Sequence, residues 1–143
     1  MFIGEFTHSI DDKGRVIMPS KFREILGDKF YVTKGMEGCV FVYEESEWNR
    51  LEEKTRQLKL TSKKAREFAR LFYAPAREVE FDKQGRFVIP QNLRDFAKIK
   101  KEATIIGVST RIEIWDKDIY KEYIDGSNMD YDKVFEDFDD LDI

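Results

Sequence analysis

The chain has 143 residues, enough for one ordinary domain or for two small halves that share a core. Its apolar fraction of 41% and aromatic fraction of 14% exclude a largely disordered protein. A net charge of −4 argues at first against a nucleic-acid partner, and the single cysteine, Cys39, excludes both an intrachain disulfide and a cysteine-based zinc site.

In chain order, the opening MFIGEFTHSI has neither the basic start nor the apolar run of a signal peptide. EFTHSID then alternates polar and apolar residues, as a strand does. DDKG follows as a hairpin turn: Asp11 can accept from the backbone two residues on, and Gly14 tolerates positive φ. RVIMP is a short apolar strand ended by Pro19, which cannot donate to a ladder. SKFREILG is a short helix, with Ser20 expected as its N-cap and Gly27 as its stop. KFYVTK and CVFVYE are two further strands, and a helix over 46–58 is expected to start on Ser46. In TSKKAREFARLFYAPA, Ala65, Phe68, Ala69 and Phe72 recur at helical spacing, which predicts an amphipathic connecting helix ended by Pro75. Its Lys63, Lys64, Arg66 and Arg70 fall off that stripe and read as a solvated face.

The pattern then starts again. Asp11, Gly14, Arg15, Pro19 and Arg23 recur 71 positions later as Asp82, Gly85, Arg86, Pro90 and Arg94. After one inserted residue, Gly35, Val40, Val42, Tyr43 and Trp48 recur as Gly107, Ile112, Ile114, Trp115 and Tyr120. The second copy reads as strand (REVEFD), turn (DKQG), strand (RFVIP), helix (QNLRDFAKI), strands ATIIGV and RIEIWD, and a helix over 117–124. This gives repeats at 5–48 and 76–120, connecting helices at 49–75 and a tail at 125–143. Neither half alone is large enough to bury its strand faces. The two are therefore expected to pack about a pseudo-twofold axis as a fused dimer, in one fold that is α+β and mainly β.

The tail holds eight acids and one lysine, a net of −7, which leaves +3 of the overall −4 for residues 1–124. A mildly basic body thus ends in an acidic tail that repels phosphate and is not expected to touch DNA. Val134, Phe135, Phe138 and Leu141 fit one helical stripe, so a short acidic amphipathic helix and a disordered tail are both open.

The candidate binding residues sit in the two turns. Arg15 and Arg86 directly follow the turn glycines, where a guanidinium suits a phosphate or a guanine edge. Lys13 and Lys83 lie in the same turns. Asp11 and Asp82 can pair with the arginines; such a pair would pin the hairpin, orient the arginine for contact, or both. His8 lies near Asp11 and Asp12 without a third well-placed ligand, and reads as a surface histidine rather than a metal site. No catalytic triad order, P-loop or Gly-rich phosphate fingerprint is present, so neither an enzyme nor a cofactor is expected. Cys39 has no basic neighbour that would activate its thiol. Together with the single cysteine and the lack of a membrane-spanning stretch, this predicts a cytoplasmic protein.

GEFTHSIDDKGRVIMPSKFRE, FARLFYAPAREVEFDKQGRFVIPQNLR and GVSTRIEIWD closely resemble the MraZ family of bacterial transcriptional regulators, and more widely the AbrB-like (SpoVT-AbrB) swapped-hairpin domains. The resemblance covers about 1–124. It implies two AbrB-like repeats forming an intramolecular double-split β-barrel with short helices, and a ring-shaped homo-oligomer associated with the nucleoid. It also implies binding to double-stranded DNA at repeated elements in the promoter of the division and cell-wall gene cluster. The family's DXXXR motif falls on Asp11–Arg15 and Asp82–Arg86. Two other classes remain: a protein-binding or antitoxin-like module using the tail, and a phosphoesterase using Asp11, Asp12, Asp82 and His8.

Overall fold

A computed structural model of the chain describes residues 1–126 and 129–142. Of the predicted tail, residues 127, 128 and 143 lie outside the described residues. The elements run β1 (Phe2–Ser9), β2 (Arg15–Ile17), α1 (Ser20–Leu26), β3 (Lys29–Lys34), β4 (Val40–Glu44), α2 (Glu45–Thr55) and α3 (Lys63–Phe72). The second series is β5 (Arg77–Glu80), β6 (Arg86–Val88), α4 (Gln91–Ala97), β7 (Glu102–Ser109), β8 (Ile112–Asp116) and α5 (Lys117–Gly126). A short helix α6 (Tyr131–Glu136) and a 3-10 turn (Asp139–Leu141) follow.

The strands make a six-stranded sheet ordered β1-β7-β8-β4-β3-β5 and a separate ribbon of β2 with β6. Exchanging each strand for its repeat equivalent reverses the sheet order and leaves it otherwise unchanged. The registers obey the same symmetry. The ribbon is centred on Val16↔Phe87, with Arg15↔Val88 and Ile17↔Arg86 on either side. The sheet is centred on Phe41↔Glu113, with Val40↔Ile114 and Val42↔Ile112 flanking it. A pseudo-twofold axis therefore passes through a cross-repeat pair in each sheet, as the duplicated sequence predicts.

Three expectations are corrected. The sheets do not close into a barrel; they stay a six-stranded sheet and a two-stranded ribbon. Helical residues outnumber strand residues among those described, so the α+β fold is not mainly β. The DDKG and DKQG turns do not head local hairpins. β1 pairs with β7 and β5 with β3, so each repeat's first strand joins the other repeat's third. The physical reason is length. β2 and β6 have three residues each before a proline, and within the repeat the ladder stops at the turn, where Asp11 N–H donates to the Arg15 carbonyl at 3.1 Å and Asp82 N–H to Arg86 at 2.8 Å.

Alternation along the strands makes two cores. Phe30, Val32, Val40, Val42, Ile112 and Ile114 face the ribbon and helices α1 and α4, where they meet Val16, Phe22, Phe87 and Leu93. Tyr31, Phe41, Tyr43 and Trp115 face the opposite side and are covered from α2, α3 and α5. There Trp48 stacks on Tyr31 with ring centroids 5.2 Å apart and on Phe72 at 5.6 Å. Thr33 Oγ1 donates to the Phe72 carbonyl at 2.5 Å, tying the end of α3 to β3.

The caps of α1 and α2 differ from expectation, whereas α4 starts at Gln91 as expected. α1 and α4 take Pro19 and Pro90 at the cap position, so Ser20 is the first helical residue and caps nothing. α2 starts at Glu45 after an extended Glu44, ahead of Ser46. The connecting helix is capped by Ser62, whose Oγ accepts from Ala65 N–H at 3.3 Å. Gly27 does end α1, at φ +75°. Cys39 is buried, its Sγ donating to the Met36 carbonyl at 3.2 Å, and burial pushes its thiol up and out of reactive range.

Because the core spans both repeats, unfolding should be one cooperative transition. Removing the ring of Phe87, 2% exposed at the axis, should cost about 3–5 kcal/mol as Phe87→Ala. Chemical denaturation checks this: one transition moving to lower denaturant is expected, and a second transition appearing in the variant would separate the repeats.

Candidate nucleic-acid interface

The two turns are built alike. In the first, Asp11 Oδ1 accepts from Lys13 N–H at 3.0 Å and Arg15 N–H at 2.8 Å, while Oδ2 accepts from Arg15 Nε at 2.6 Å. In the second, Asp82 Oδ1 accepts from Gln84 N–H at 2.8 Å and Arg86 N–H at 2.9 Å, and Oδ2 from Arg86 Nε at 2.8 Å. A carboxylate holding two backbone donors is the reason Asp serves here, and the remaining oxygen fixes the guanidinium. The arginine backbone N–H, the guanidinium and the turn amide together hold each carboxyl below its ordinary range.

Each turn is also held by the opposite repeat. Gly14, at φ +81°, packs directly under the Arg94 guanidinium of α4; Gly85, at φ +76°, packs under Arg23 of α1. Backbone bonds cross at the same points: Ile89 N–H to the Gly14 carbonyl at 2.9 Å, and Met18 N–H to Gly85 at 3.3 Å. Arg23 Nε donates to the Met18 carbonyl at 3.1 Å, and Arg94 Nη2 to Gln91 Oε1 at 2.7 Å. The turn glycines therefore meet two requirements, positive φ and room for the other repeat's arginine.

The ribbon register decides where the arginines lie. Val16 and Phe87 point into the core, so Arg15, Ile17, Arg86 and Val88 share the opposite face, where Ile17 and Val88 are exposed. Arg15 and Arg86 are diagonal neighbours on that face, roughly 7–8 Å apart at Cα. Their side chains are 32% and 29% exposed, so they are half-buried rather than free at the turn tip.

Lys13 is the equivalent of Gln84, and Lys83 of Asp12; both lysines are exposed but the symmetry does not relate them. His8 pairs with Ala103 on the β1–β7 ladder, and among the described residues no group of three or more His, Cys, Asp and Glu could hold a metal ion. On α3, Lys63 approaches Glu67 at 3.9 Å and Arg66 Nη1 donates to the Leu60 carbonyl at 2.8 Å, so that face is engaged with its own helix and its lead-in.

Arg23 and Arg94 are the residues that sequence reasoning passed over. They recur at matching positions, and an arginine eight residues after each turn arginine was the available signal. Their contact with the other repeat's glycine depends on the strand exchange.

Two outcomes follow. Gly14→Ala and Gly85→Ala should each destabilise by at least about 1 kcal/mol, because a Cβ adds left-handed strain and a clash with a guanidinium; thermal melting checks this. The carboxyls titrate below their unfolded value of 3.8, so their contribution is complete above it and disappears as pH falls through the lower folded value. The melting difference between the parent and Asp11→Asn/Asp82→Asn should be constant above a pH of about 5 and shrink only at strongly acid pH.

Comparison with known proteins places this geometry in a family. The family described as "MraZ protein, putative antitoxin-like" matches residues 1–71 and again 72–141, so the second match takes in most of the acidic tail. A protein of Finegoldia magna named "Transcriptional regulator MraZ" is 54% identical over 143 residues, the full length of both chains. One of the same name from Thermoanaerobacter sp. is 52% identical over 143 residues, again the full length of both, and one from Acetivibrio thermocellus is 54% identical over 136 residues, 95% of each chain. The chain belongs to the MraZ family of transcriptional regulators, a family of regulators rather than enzymes.

Proposed function

We propose that the protein binds double-stranded DNA through the solvent face of the β2–β6 ribbon, and that this contact underlies its regulatory role. The observation that carries the reading is a pair of aspartate-held arginines lying diagonally across one two-stranded ribbon. A ribbon of this kind fits the major groove of B-DNA, where arginine contacts phosphates or the edge of guanine. The Asp11 and Asp82 bonds use Nε, which leaves the terminal nitrogens of Arg15 and Arg86 as the donors for DNA. Asp11, Gly14, Asp82 and Gly85 support the contact by shaping the turns. Lys13 and Lys83 add positive charge at its ends without matching each other.

In this reading the repeats 5–48 and 76–120, joined by 49–75, form one DNA-contacting unit. The acidic tail 125–143 takes no part in the contact. Several chains assemble into a ring and bind repeated elements in the promoter of the division and cell-wall gene cluster, which places the protein at the nucleoid in the cytoplasm. Family membership supports the assembly and the target, and among the described residues no helix is long and apolar enough to cross a membrane. A ring multiplies weak contacts by avidity, since each chain presents the same ribbon.

Arg15→Ala or Arg86→Ala should each weaken binding to the DNA upstream of the protein's own gene by at least about 1–3 kcal/mol, and the double substitution should abolish it. All three variants should stay folded, because a half-exposed ion pair contributes little to stability. Mobility shift alongside thermal melting checks this. A folded double variant that binds like the parent would move the DNA surface elsewhere.

A further inference from the structure

The family repeats end at 71 and at 141. The first therefore closes with α3 and the second with α6 and the turn after it. Phe68 and Leu71 of α3 have their counterparts 70 positions on, in Phe138 and Leu141. Phe68 and Leu71 are themselves 37% and 63% exposed, and what holds the first end is Phe72, whose place 70 positions on is taken by Asp142. α3 lies on the sheet, with Phe72 stacked on Trp48. The tail carries the same kind of stripe and buries none of it: Phe135 is 39%, Phe138 52% and Leu141 58% exposed.

The equivalent seat on its own half is filled. Trp115 stands where the first repeat has Tyr43, and it is covered by Tyr120 and Tyr123 of α5 at 5.3 and 5.1 Å between ring centroids. Tyr123 takes the position that the smaller Leu51 has in the first repeat.

At the first repeat's end a groove of about 510 Å³ opens between α3 and the β3–β4 connection. Met36 and Leu71 line it and are 67% and 63% exposed, with Phe41 and Phe96 deeper. Lys34, stacked over the Phe96 ring at 5.1 Å, gives it a basic margin, while Arg111, over Phe41 at 4.1 Å, is paired with Glu113 at 3.1 Å. The tail stripe is flanked by Asp132, Glu136, Asp137 and Asp140, so apolar surface and charge both match.

We propose that the tail of one chain, through Phe135, Phe138 and Leu141, docks into the α3 groove of a second copy. The groove, lined from α3, the β3–β4 connection and Phe96 and Arg111 of the second repeat, and the tail are different surfaces of one chain, so the contact is head-to-tail and repeats from chain to chain until a ring closes. This inference rests on the oligomer reading above and names the surface that would hold it. It gives the acidic tail a structural task, and it keeps the tail's carboxylates off the DNA-facing ribbon.

The test uses full-length protein and light scattering, with melting curves to confirm folding. A tail variant, Phe135→Ser/Phe138→Ser/Leu141→Ser, and a groove variant, Met36→Glu/Leu71→Glu, change only exposed side chains. The parent is expected to be larger than a dimer and each variant to fall to a monomer. Mixed in equal amounts, the two variants should form a one-to-one dimer and nothing larger, because only one intact tail and one intact groove can meet. An oligomeric parent whose variants keep its mass would overturn the tail–groove contact and leave the ring reading standing. A monomeric parent would overturn both, and variants that become monomeric but never pair on mixing would overturn the direct contact between tail and groove.

Discussion

The pairing of β2 with β6 across the pseudo-twofold axis is the constraint on which the rest of the structure depends. Each strand has only three residues, too few to hold a local hairpin, and each is closed at its end by a proline. Only when the two meet does either complete a ladder. Their meeting sends Val16 and Phe87 into the core together and turns Arg15 and Arg86 to one common face. The larger sheet repeats the logic, since β1 and β5 are edge strands that add to the opposite repeat.

The same exchange positions the residues proposed to contact DNA. An arginine after a glycine turn is an ordinary exposed side chain unless something fixes it. Here Asp11 and Asp82 hold the Nε atoms, and Arg23 and Arg94 press on the turn glycines from the other repeat. The proposed contact surface is consequently part of the folding unit. A change at a turn glycine should be felt as instability, whereas a change at Arg15 or Arg86 should be felt mainly in binding.

Much of this was legible in the sequence, because duplication makes its own evidence. The matched Asp, Gly, Arg and Pro positions located both turns and both short helices, but the second core on the far side of the sheet was not read from them. The pairing partners were not legible. A turn of Asp and Gly has the same chemistry whether its strands close on each other or on strands 71 residues away. Arg23 and Arg94 were visible as repeated positions, but their role exists only after the exchange. Two helix caps were misplaced because Pro19 and Glu44 take the cap positions with extended backbone, which leaves Ser20 and Ser46 inside their helices.

The central claim is that two aspartate-held arginines on a shared ribbon meet the phosphates or bases of DNA. Its most direct test is the salt dependence of binding to the upstream DNA, measured for the parent and for the Arg15→Ala/Arg86→Ala protein in place of a single affinity. Guanidinium groups that neutralise phosphates displace counterions, so the parent should show a steep fall of affinity with salt. In the variant the slope should drop by about one for each phosphate that is no longer neutralised. An unchanged slope and unchanged affinity in the folded variant would contradict the account and assign the arginines a purely structural role.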